Sequence, residues 1–290
     1  MSHETYGDNP IMSIHVENVK PLFGSVLHVE KSQLFEEETV QLSRRLLEER
    51  GVLVFPRVNV SDAEQVAFTD RLGTRVNYNA KVPGATDDPD IYKITLDPKE
   101  NPQPEYVQGT FFWHMDGLNS NIPPPKATVL SARHTAAKGG QTEFASTYLA
   151  YETLSDEDKS DFEGLRVVHS VLSNMKRIVD APSEREIERW SVPPVKEHPL
   201  VWKRASGRKS LIIGTTADCI VGMPTPDGRS ILARLIEWAA QPDFYYRHEW
   251  SEGDLVVWDN TGTLHRVRPY DRRSGRMMHR TTIAGHEEVV

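Results

Sequence analysis

The chain has 290 residues, of which 38% are hydrophobic and 26% are charged. These fractions are typical of a globular protein and exclude a disordered chain, whose low hydrophobicity cannot support a core. The 34 basic and 42 acidic residues give a net charge of −8, so we expect neither nucleic acid nor an anionic membrane as the main partner.

The single cysteine, Cys219, excludes an intramolecular disulfide and a cysteine-rich zinc site, and it favours a reducing compartment. No apolar run approaches the roughly 18 residues of a membrane span. Residues 1–9 lack the basic start and the apolar stretch of a signal peptide. We therefore expect a cytoplasmic protein, not bound to a membrane, that forms a single domain over residues 1–290 with a flexible start at 1–10.

The first third of the chain predicts three strands, at 13–20, 25–29 and 52–55. Apolar residues at near-helical spacing predict a helix over 33–50, and Gly51 is a natural helix stop. Ser61 and Glu64 have the spacing of a capping box, which predicts a second helix up to about Gly73. Two helices thus flank one early buried strand.

The rest of the chain is rich in short strands. Residues 77–110 contain much Pro, Asp and Asn and predict a long loop with one strand-like piece at 91–95. Further strands are predicted at 109–114, 127–132, 141–145, 165–172, 200–203, 210–214, 245–250, 254–258 and 276–285. Helices are predicted at 147–154, 156–163, 183–190 and 230–240. This pattern favours an α+β fold with an antiparallel sandwich or barrel at its centre.

The most informative short motif is His114-Met115-Asp116. Residues i and i+2 of a strand point to the same face, so a strand here would present His114 and Asp116 side by side. Two histidines and one carboxylate on one triangular face of an octahedron are typical of non-haem Fe(II) oxygenases. The triplet alone is also compatible with an ordinary hydrogen-bonded His-x-Asp pair.

A second motif lies downstream, where an apolar strand at 256–258 leads through a polar turn to His265. Arg276 and Arg280 follow that histidine and share strand parity with Met278. Two arginines that point into a barrel are costly unless they bind anions, because a buried charge must be paired.

Together these motifs resemble the taurine dioxygenase and 2,4-dichlorophenoxyacetate dioxygenase (TauD/TfdA) family of Fe(II)/2-oxoglutarate oxygenases. The resemblance covers about residues 22–285 and depends on 113–116, 139–142, 150–152, 258–260, His265 and 278–283. It implies a double-stranded β-helix, the cupin-like jelly roll, with helices packed outside.

The resemblance also implies roles for individual residues. It implies that iron is held by His114, Asp116 and His265. Arg276 would bind the distal carboxylate of 2-oxoglutarate, with support from the hydroxyl of Thr142. The planar guanidinium fork suits a carboxylate better than a lysine does.

For the primary substrate, Arg280 matches the position that pairs with the substrate anion in relatives, although it could instead support the cosubstrate. The resemblance places four further residues on substrate-lining segments: Tyr78, Asn79, Tyr106 and His169. For each of these four, an ordinary loop or strand residue is the alternative. Residues 73–79 contain no histidine where taurine-using relatives place one, which counts against taurine as the substrate.

The implied function is an enzyme that uses Fe(II), 2-oxoglutarate and O2 to hydroxylate a small anionic organic substrate, with release of succinate and CO2. Cleavage of a C–S or C–O bond would follow where the hydroxylated carbon carries such a group. Relatives are commonly dimers or tetramers, so a homo-oligomer is expected. Two alternatives stay open: a non-redox metal-binding jelly roll that binds or hydrolyses a ligand, and a biosynthetic oxygenase that desaturates its substrate. The arginine that follows His265 favours an oxygenase, because a non-oxidative metal site has no need of it.

Overall fold

The computed structural model describes residues 3–6, 14–77, 91–101 and 103–290. Strands in this part of the chain are β1 (His3–Tyr6), β2 (Ile14–Asn18), β3 (Ser25–His28), β4 (Val52–Phe55), β5 (Tyr92–Ile94), β6 (Ala127–His134), β7 (Thr142–Ser146), β8 (Arg166–His169), β9 (Lys196–Pro199), β10 (Val201–Lys203), β11 (Lys209–Leu211), β12 (Ala217–Ile220), β13 (Tyr245–His248), β14 (Leu255–Asp259), β15 (Thr263–Val267) and β16 (Met277–Ile283). Helices are α1 (Glu37–Arg50), α2 (Asp62–Leu72), α3 (Pro104–Gly109), α4 (Thr147–Glu152), α5 (Asp156–Phe162), α6 (Val171–Met175), α7 (Glu184–Trp190) and α8 (Thr225–Ala239).

The largest sheet has eight strands in the order β1-β2-β3-β4-β14-β6-β16-β5. Its strand pairs are antiparallel except for β3 and β4. Three smaller sheets have the orders β13-β7-β15, β12-β8-β9 and β10-β11. The described chain therefore combines α and β structure around a mainly antiparallel sheet, as predicted.

Both faces of the large sheet are buried, and β14 shows how. Leu255 and Val257 belong to an apolar cluster with side chains of α1 and α2. Val256 and Trp258 belong to the opposite cluster, which contains Phe144 of β7. Since alternate residues of a strand point to opposite faces, the large sheet lies between two helices and the β13-β7-β15 sheet.

The first two helices largely follow the prediction. Gly51 ends α1 in the left-handed region at φ 74°, where a residue without Cβ has no steric cost. The capping box of Ser61 and Glu64 at the start of α2 is present in both directions. The predicted helix at 33–50 is in fact two pieces, because the extended backbone of Glu36 (ψ 145°) separates a 3-10 turn at Gln33–Phe35 from α1.

Several predicted strands are wrong or shorter than expected. The segment predicted as a strand at 109–114 is the end of α3 and a turn, and His114 makes only an isolated bridge with His265. The strand predicted at 165–172 ends at His169, because Ser170 caps α6. The predicted loop at 77–110 contains β5 and α3 among its described residues. No helix in the described ranges is long and apolar enough to cross a bilayer.

Candidate metal and cosubstrate site

The structure brings His114, Asp116 and His265 together. Each residue offers one ligand atom, and these atoms lie within 4.8 Å of one another. The Nε2 atom of His114 is 3.9 Å from Oδ1 of Asp116, and Nε2 of His265 is 3.7 Å from the same oxygen. The two histidines face each other across a short antiparallel bridge, with backbone N–H···O distances of 2.9 and 3.0 Å in the two directions.

Neighbouring groups orient the side chains of this cluster. Nδ1 of His114 lies 2.9 Å from the carbonyl oxygen of Phe112, so a proton on Nδ1 leaves the Nε2 lone pair facing Asp116. Thr128 donates its hydroxyl to Oδ2 of Asp116 at 3.0 Å, and Asn260 donates to Thr128 at 2.9 Å. Such outer hydrogen bonds fix the geometry of metal ligands.

Burial and charge favour the protonation states that a cation needs. Burial lowers the pKa of His114, and burial together with the neighbouring His114 lowers the pKa of His265 to about 3. Burial alone would raise the pKa of Asp116, but His265, Arg280 and His114 outweigh it and lower that pKa to about 2. At neutral pH the cluster thus consists of two neutral imidazoles and one carboxylate, and these are the forms that bind a metal.

Arg276 is a buried cation, only 3% exposed, beside the turn formed by Gly139 and Gly140. Its Nη2 donates to the carbonyl oxygen of Gly140 at 3.1 Å, and its guanidinium lies 4.9 Å from the ring centre of Tyr270. No carboxylate within ion-pair distance of Arg276 is found among the described residues. Burial lowers the pKa of Arg276, yet a guanidinium keeps its proton in proteins. The buried positive charge therefore favours the binding of an anion.

Thr142, the other residue predicted to bind 2-oxoglutarate, is the first residue of β7 and is buried. Its Oγ1 accepts a hydrogen bond from Nε1 of Trp250 at 2.9 Å. The positive φ angles of Gly139 (74°) and Gly140 (77°) form the turn that precedes β7. The carbonyl of Gly140, two residues before Thr142, accepts the hydrogen bond from Arg276, so the start of β7 lies near this guanidinium.

Arg280 lies on the inner face of β16, like Met278, as the parity argument predicts. Its Nη1 is 3.8 Å from Oδ2 of Asp116, and its guanidinium lies 4.9 Å from the ring centre of Tyr92 on β5. Parity does not extend to Arg276, because that residue precedes β16 and a register shift separates Met277 from Met278. Arg280 therefore lies beside the metal cluster, whereas Arg276 lies at the Gly139-Gly140 turn.

The remaining predicted site residues fall in different places. Tyr106 lies on α3, which packs against α6, and burial raises the pKa of its hydroxyl. His169 is fully buried at the end of β8, with Nδ1 2.9 Å from the hydroxyl oxygen of Thr216. No described contact joins either residue to the metal cluster. Tyr78 and Asn79 lie outside the described residues.

The sequence analysis does not identify three residues around the site: Thr128 contacts Asp116, Asn260 contacts Thr128, and Tyr92 contacts Arg280. Asn260 follows Trp258 and Asp259 in the motif that leads to His265, so the sequence does indicate a position near the site. Tyr92 gave none, because its register opposite Arg280 depends on the pairing of β5 with β16.

Comparison with known proteins identifies the family of the chain. Residues 15–282 match the family model described as "Taurine catabolism dioxygenase TauD, TfdA family". The chain is 35% identical over 283 residues to the alpha-ketoglutarate-dependent 2,4-dichlorophenoxyacetate dioxygenase of Cupriavidus pinatubonensis, covering 93% of this chain and 98% of that one. It is 31% identical over 242 residues to the (S)-phenoxypropionate/alpha-ketoglutarate-dioxygenase of Sphingobium herbicidovorans, covering 82% and 83% of the two chains.

A solved structure of similar sequence has a similar fold. The crystal structure of AAD-2 in complex with Mn(II) and N-oxalylglycine superposes with a TM-score of 0.79 at 29% identity. The match covers 96% of this chain and 100% of that one.

These findings define the class as 2-oxoglutarate-dependent dioxygenases, which use Fe(II), 2-oxoglutarate and O2. The chain belongs to the TauD/TfdA family of this class. The predicted enzyme class and the predicted cofactors are thereby confirmed.

Proposed function

We propose that the chain hydroxylates a small anionic organic substrate at an iron ion held by His114, Asp116 and His265, with 2-oxoglutarate held by Arg276 and Thr142. The observation that carries this proposal is a cluster of two imidazoles and one carboxylate whose ligand atoms lie within 4.8 Å of one another. The buried Arg276, which has no acidic partner among the described residues, supports the cosubstrate part of the proposal. We further propose that the two facing sheets form the double-stranded β-helix of a single domain over residues 1–290.

The donor set fits a ferrous ion. Two neutral imidazole nitrogens and one carboxylate leave coordination positions open for a cosubstrate and dioxygen. Bound iron with 2-oxoglutarate supplies the activation of O2, in which 2-oxoglutarate becomes succinate and CO2 and one oxygen atom enters a substrate C–H bond. The protein holds the ligands in place: Thr128 fixes one oxygen of Asp116, and the Phe112 carbonyl fixes the ring of His114.

Arg276 provides the charge that binds the distal carboxylate of 2-oxoglutarate. A guanidinium with two free N–H directions can donate to both oxygens of a carboxylate. Its bond to the Gly140 carbonyl and the Tyr270 ring fix its plane before the cosubstrate arrives. Because the Arg276 side chain is already ordered before binding, no conformational entropy is lost there, and this favours the affinity for 2-oxoglutarate.

Arg280 is proposed to bind the anionic group of the primary substrate. Tyr92 supports its guanidinium from one side, and Asp116 lies 3.8 Å from Nη1 on the metal side. An anion bound there brings the neighbouring carbon close to the iron ligands. The relatives named for aryloxy acids favour an aryloxyalkanoate or similar monoanion for this chain too. Tyr78, Asn79, Tyr106 and His169 remain proposed lining residues.

The test is substrate-dependent succinate release from the Fe(II)-loaded protein with a panel of phenoxyacetate and phenoxypropionate acids, alkyl sulfates and sulfonates. Each acid is paired with its neutral amide, which keeps the shape and removes the charge. We expect release with one class of acid and at least tenfold less with the amide, because charged hydrogen bonds contribute about 1.5–3 kcal/mol. Equal release with acid and amide would contradict the role of Arg280.

Product mass distinguishes the outcomes. A gain of one oxygen, or the fragments of its collapse, indicates hydroxylation, whereas a loss of two hydrogens indicates desaturation. Metal-loaded, folded protein that neither binds 2-oxoglutarate without oxygen nor releases succinate with any acid would leave the non-redox jelly roll as the better hypothesis.

A further inference from the structure

We propose that Trp250 is a positioning residue for the cosubstrate: its indole N–H turns the hydroxyl of Thr142 into a fixed hydrogen-bond donor that points at the bound carboxylate. This inference rests on the proposed 2-oxoglutarate site. It adds a residue that the sequence motifs do not single out, and it assigns the direction in which the hydroxyl hydrogen of Thr142 points.

The side chains of Trp250 and Thr142 are in direct contact. Nε1 of Trp250 lies 2.9 Å from Oγ1 of Thr142. An indole N–H can only donate, whereas a threonine hydroxyl can donate once and accept twice. Thr142 is therefore the acceptor in this bond, and its own hydrogen must point away from Trp250.

The hydroxyl hydrogen has no described acceptor. Within the described part of the chain, the contact with Trp250 is the hydrogen bond of the Thr142 side chain, and in that bond the hydroxyl accepts. Thr142 is only 4% exposed, so water does not freely satisfy it. A buried donor without an acceptor is costly. A carboxylate bound at Arg276 would supply the acceptor.

Trp250 and Arg276 also share one cavity. Both line a space of about 220 Å³ whose other walls include Gly140, Gln141 and Glu249. Gln141 directly precedes Thr142, so the indole, the hydroxyl and the guanidinium lie at the same end of β7. The indole thus lies where it can act on the groups around the distal carboxylate.

The indole is held rigidly by a second layer of contacts. The ring of His248 meets it edge to face, with centroids 4.6 Å apart and an interplanar angle of 84°. His248 is itself held between the hydroxyl of Tyr246 at 2.9 Å and Oδ2 of Asp254 at 3.1 Å. It is also the register partner of Thr142 in the pairing of β13 with β7. These contacts keep the N–H aimed at the hydroxyl without loss of entropy on binding.

A purely structural role for Trp250 would stabilise the fold but would not act through Thr142. The two roles are separated by a double-mutant cycle on 2-oxoglutarate affinity, since residues that act through one another give non-additive effects. Affinity is measured by calorimetry on Mn(II)-loaded protein without oxygen, so that no turnover contributes. The variants are Trp250→Phe, Thr142→Val and the double variant.

We expect Trp250→Phe and Thr142→Val each to weaken 2-oxoglutarate binding about fivefold, because each removes one hydrogen bond. The double variant should be no weaker than Thr142→Val alone, and Thr142→Ser should keep near-normal binding. Trp238→Phe is the matched control, because it removes an indole bond to the carbonyl of Ala150 in another part of the molecule. Its affinity for 2-oxoglutarate should stay unchanged.

The opposite results are equally clear. A double variant weakened by the product of the two single effects would overturn the positioning role, as would normal binding in Trp250→Phe. If Trp250→Phe does not fold, 3-benzothienylalanine at position 250 keeps the ring shape and replaces only the N–H, and normal binding there overturns the inference. If Arg276→Ala also binds normally, the proposed cosubstrate site itself is wrong.

Discussion

Gly140 and Arg276 are in such close contact that a side chain at position 140 would displace Arg276. A Cβ on Gly140 would lie 2.9 Å from Nε and 3.0 Å from Cδ of Arg276. The Gly140 carbonyl also accepts a hydrogen bond from Nη2 of the same side chain. The glycine turn therefore sets the position of the guanidinium.

The first prediction follows from this contact. Gly140→Ala should raise the apparent KM for 2-oxoglutarate at least about tenfold, because the new Cβ displaces the Arg276 guanidinium. The loss of its charged hydrogen bonds to the cosubstrate costs about 1.5–3 kcal/mol. Gly207→Ala is the control: it has φ +85° but nothing within 4 Å of the added Cβ. Both variants should lose about 1 kcal/mol of stability to backbone strain. An equal rise in the 2-oxoglutarate requirement in both would contradict the steric argument.

The second prediction concerns the metal ligands. His114→Ala and Asp116→Ala should each abolish stoichiometric iron binding and succinate formation while the protein remains folded, because the two remaining ligands cannot hold the ion. Iron content after gel filtration and circular dichroism measure the two properties. His134→Ala removes an exposed histidine paired with Glu252 and should change neither. Retained turnover in both site variants would remove these residues as ligands.

The third prediction tests the hydrogen bond from Thr128 to Asp116. Thr128→Val keeps the side-chain shape and removes the donor, so metal affinity should fall about 10- to 100-fold, as for other residues that orient metal ligands. Thr69→Val is the matched control, because its buried hydroxyl bonds with Gln65 and Thr281 away from the site. It should lose stability but not metal affinity. Competition with a chelator of known affinity provides the measurement.

The fourth prediction separates the two arginines. Arg276→Ala should raise the apparent KM for 2-oxoglutarate about 10- to 100-fold with little change for the primary substrate, since a charged hydrogen-bonding group is lost at one ligand only. Arg280→Ala should show the reverse pattern. Steady-state kinetics with each ligand varied in turn measures both effects. An equal change in the apparent KM for both ligands in either variant would contradict the role proposed for that arginine.

The fifth prediction concerns pH and the buried His169. Burial and the nearby His198 lower the pKa of His169 to about 3, against 6.5 for an exposed histidine. Between these values the unfolded chain binds one more proton at this position, so stability falls as the pH decreases below about 6.5. The contribution is about 1.4 kcal/mol for each pH unit once the unfolded state is protonated.

His169→Asn can keep the hydrogen bond to Thr216 without a titrating group. Its free energy of unfolding, measured by urea titration of metal-free protein between pH 7 and pH 5, should fall less steeply than that of the wild type. The two proteins share every other titrating group, so the difference between their slopes reports His169. Parallel curves would show that His169 titrates normally.

Many residues of the proposed site could be identified from the sequence because they lie in short local motifs. Three short patterns can be recognised without knowledge of the tertiary structure: the His114-Met115-Asp116 triplet, the Gly139-Gly140 turn and the arginine at 276. The same holds for the helices, whose capping box at Ser61 depends on residues only three positions apart.

The structure differs from the strand that the triplet predicts. A strand would place His114 and Asp116 side by side, but His114 makes one isolated bridge and Gly117 turns the chain at φ 80°. The pair comes together because the backbone bridge to His265 holds His114 and the hydrogen bond from Thr128 holds the Asp116 side chain, each from a different part of the fold.

Sequence by itself therefore determined the candidates: which side chains are proposed to bind a metal, an oxo acid and an anion. Only the tertiary structure decided their arrangement, including Tyr92 beneath Arg280 and Trp250 against Thr142. The physical reason is that these contacts depend on strand pairing and register between distant segments. That pairing is set by the burial of both sheet faces across the whole domain, and no local pattern contains it.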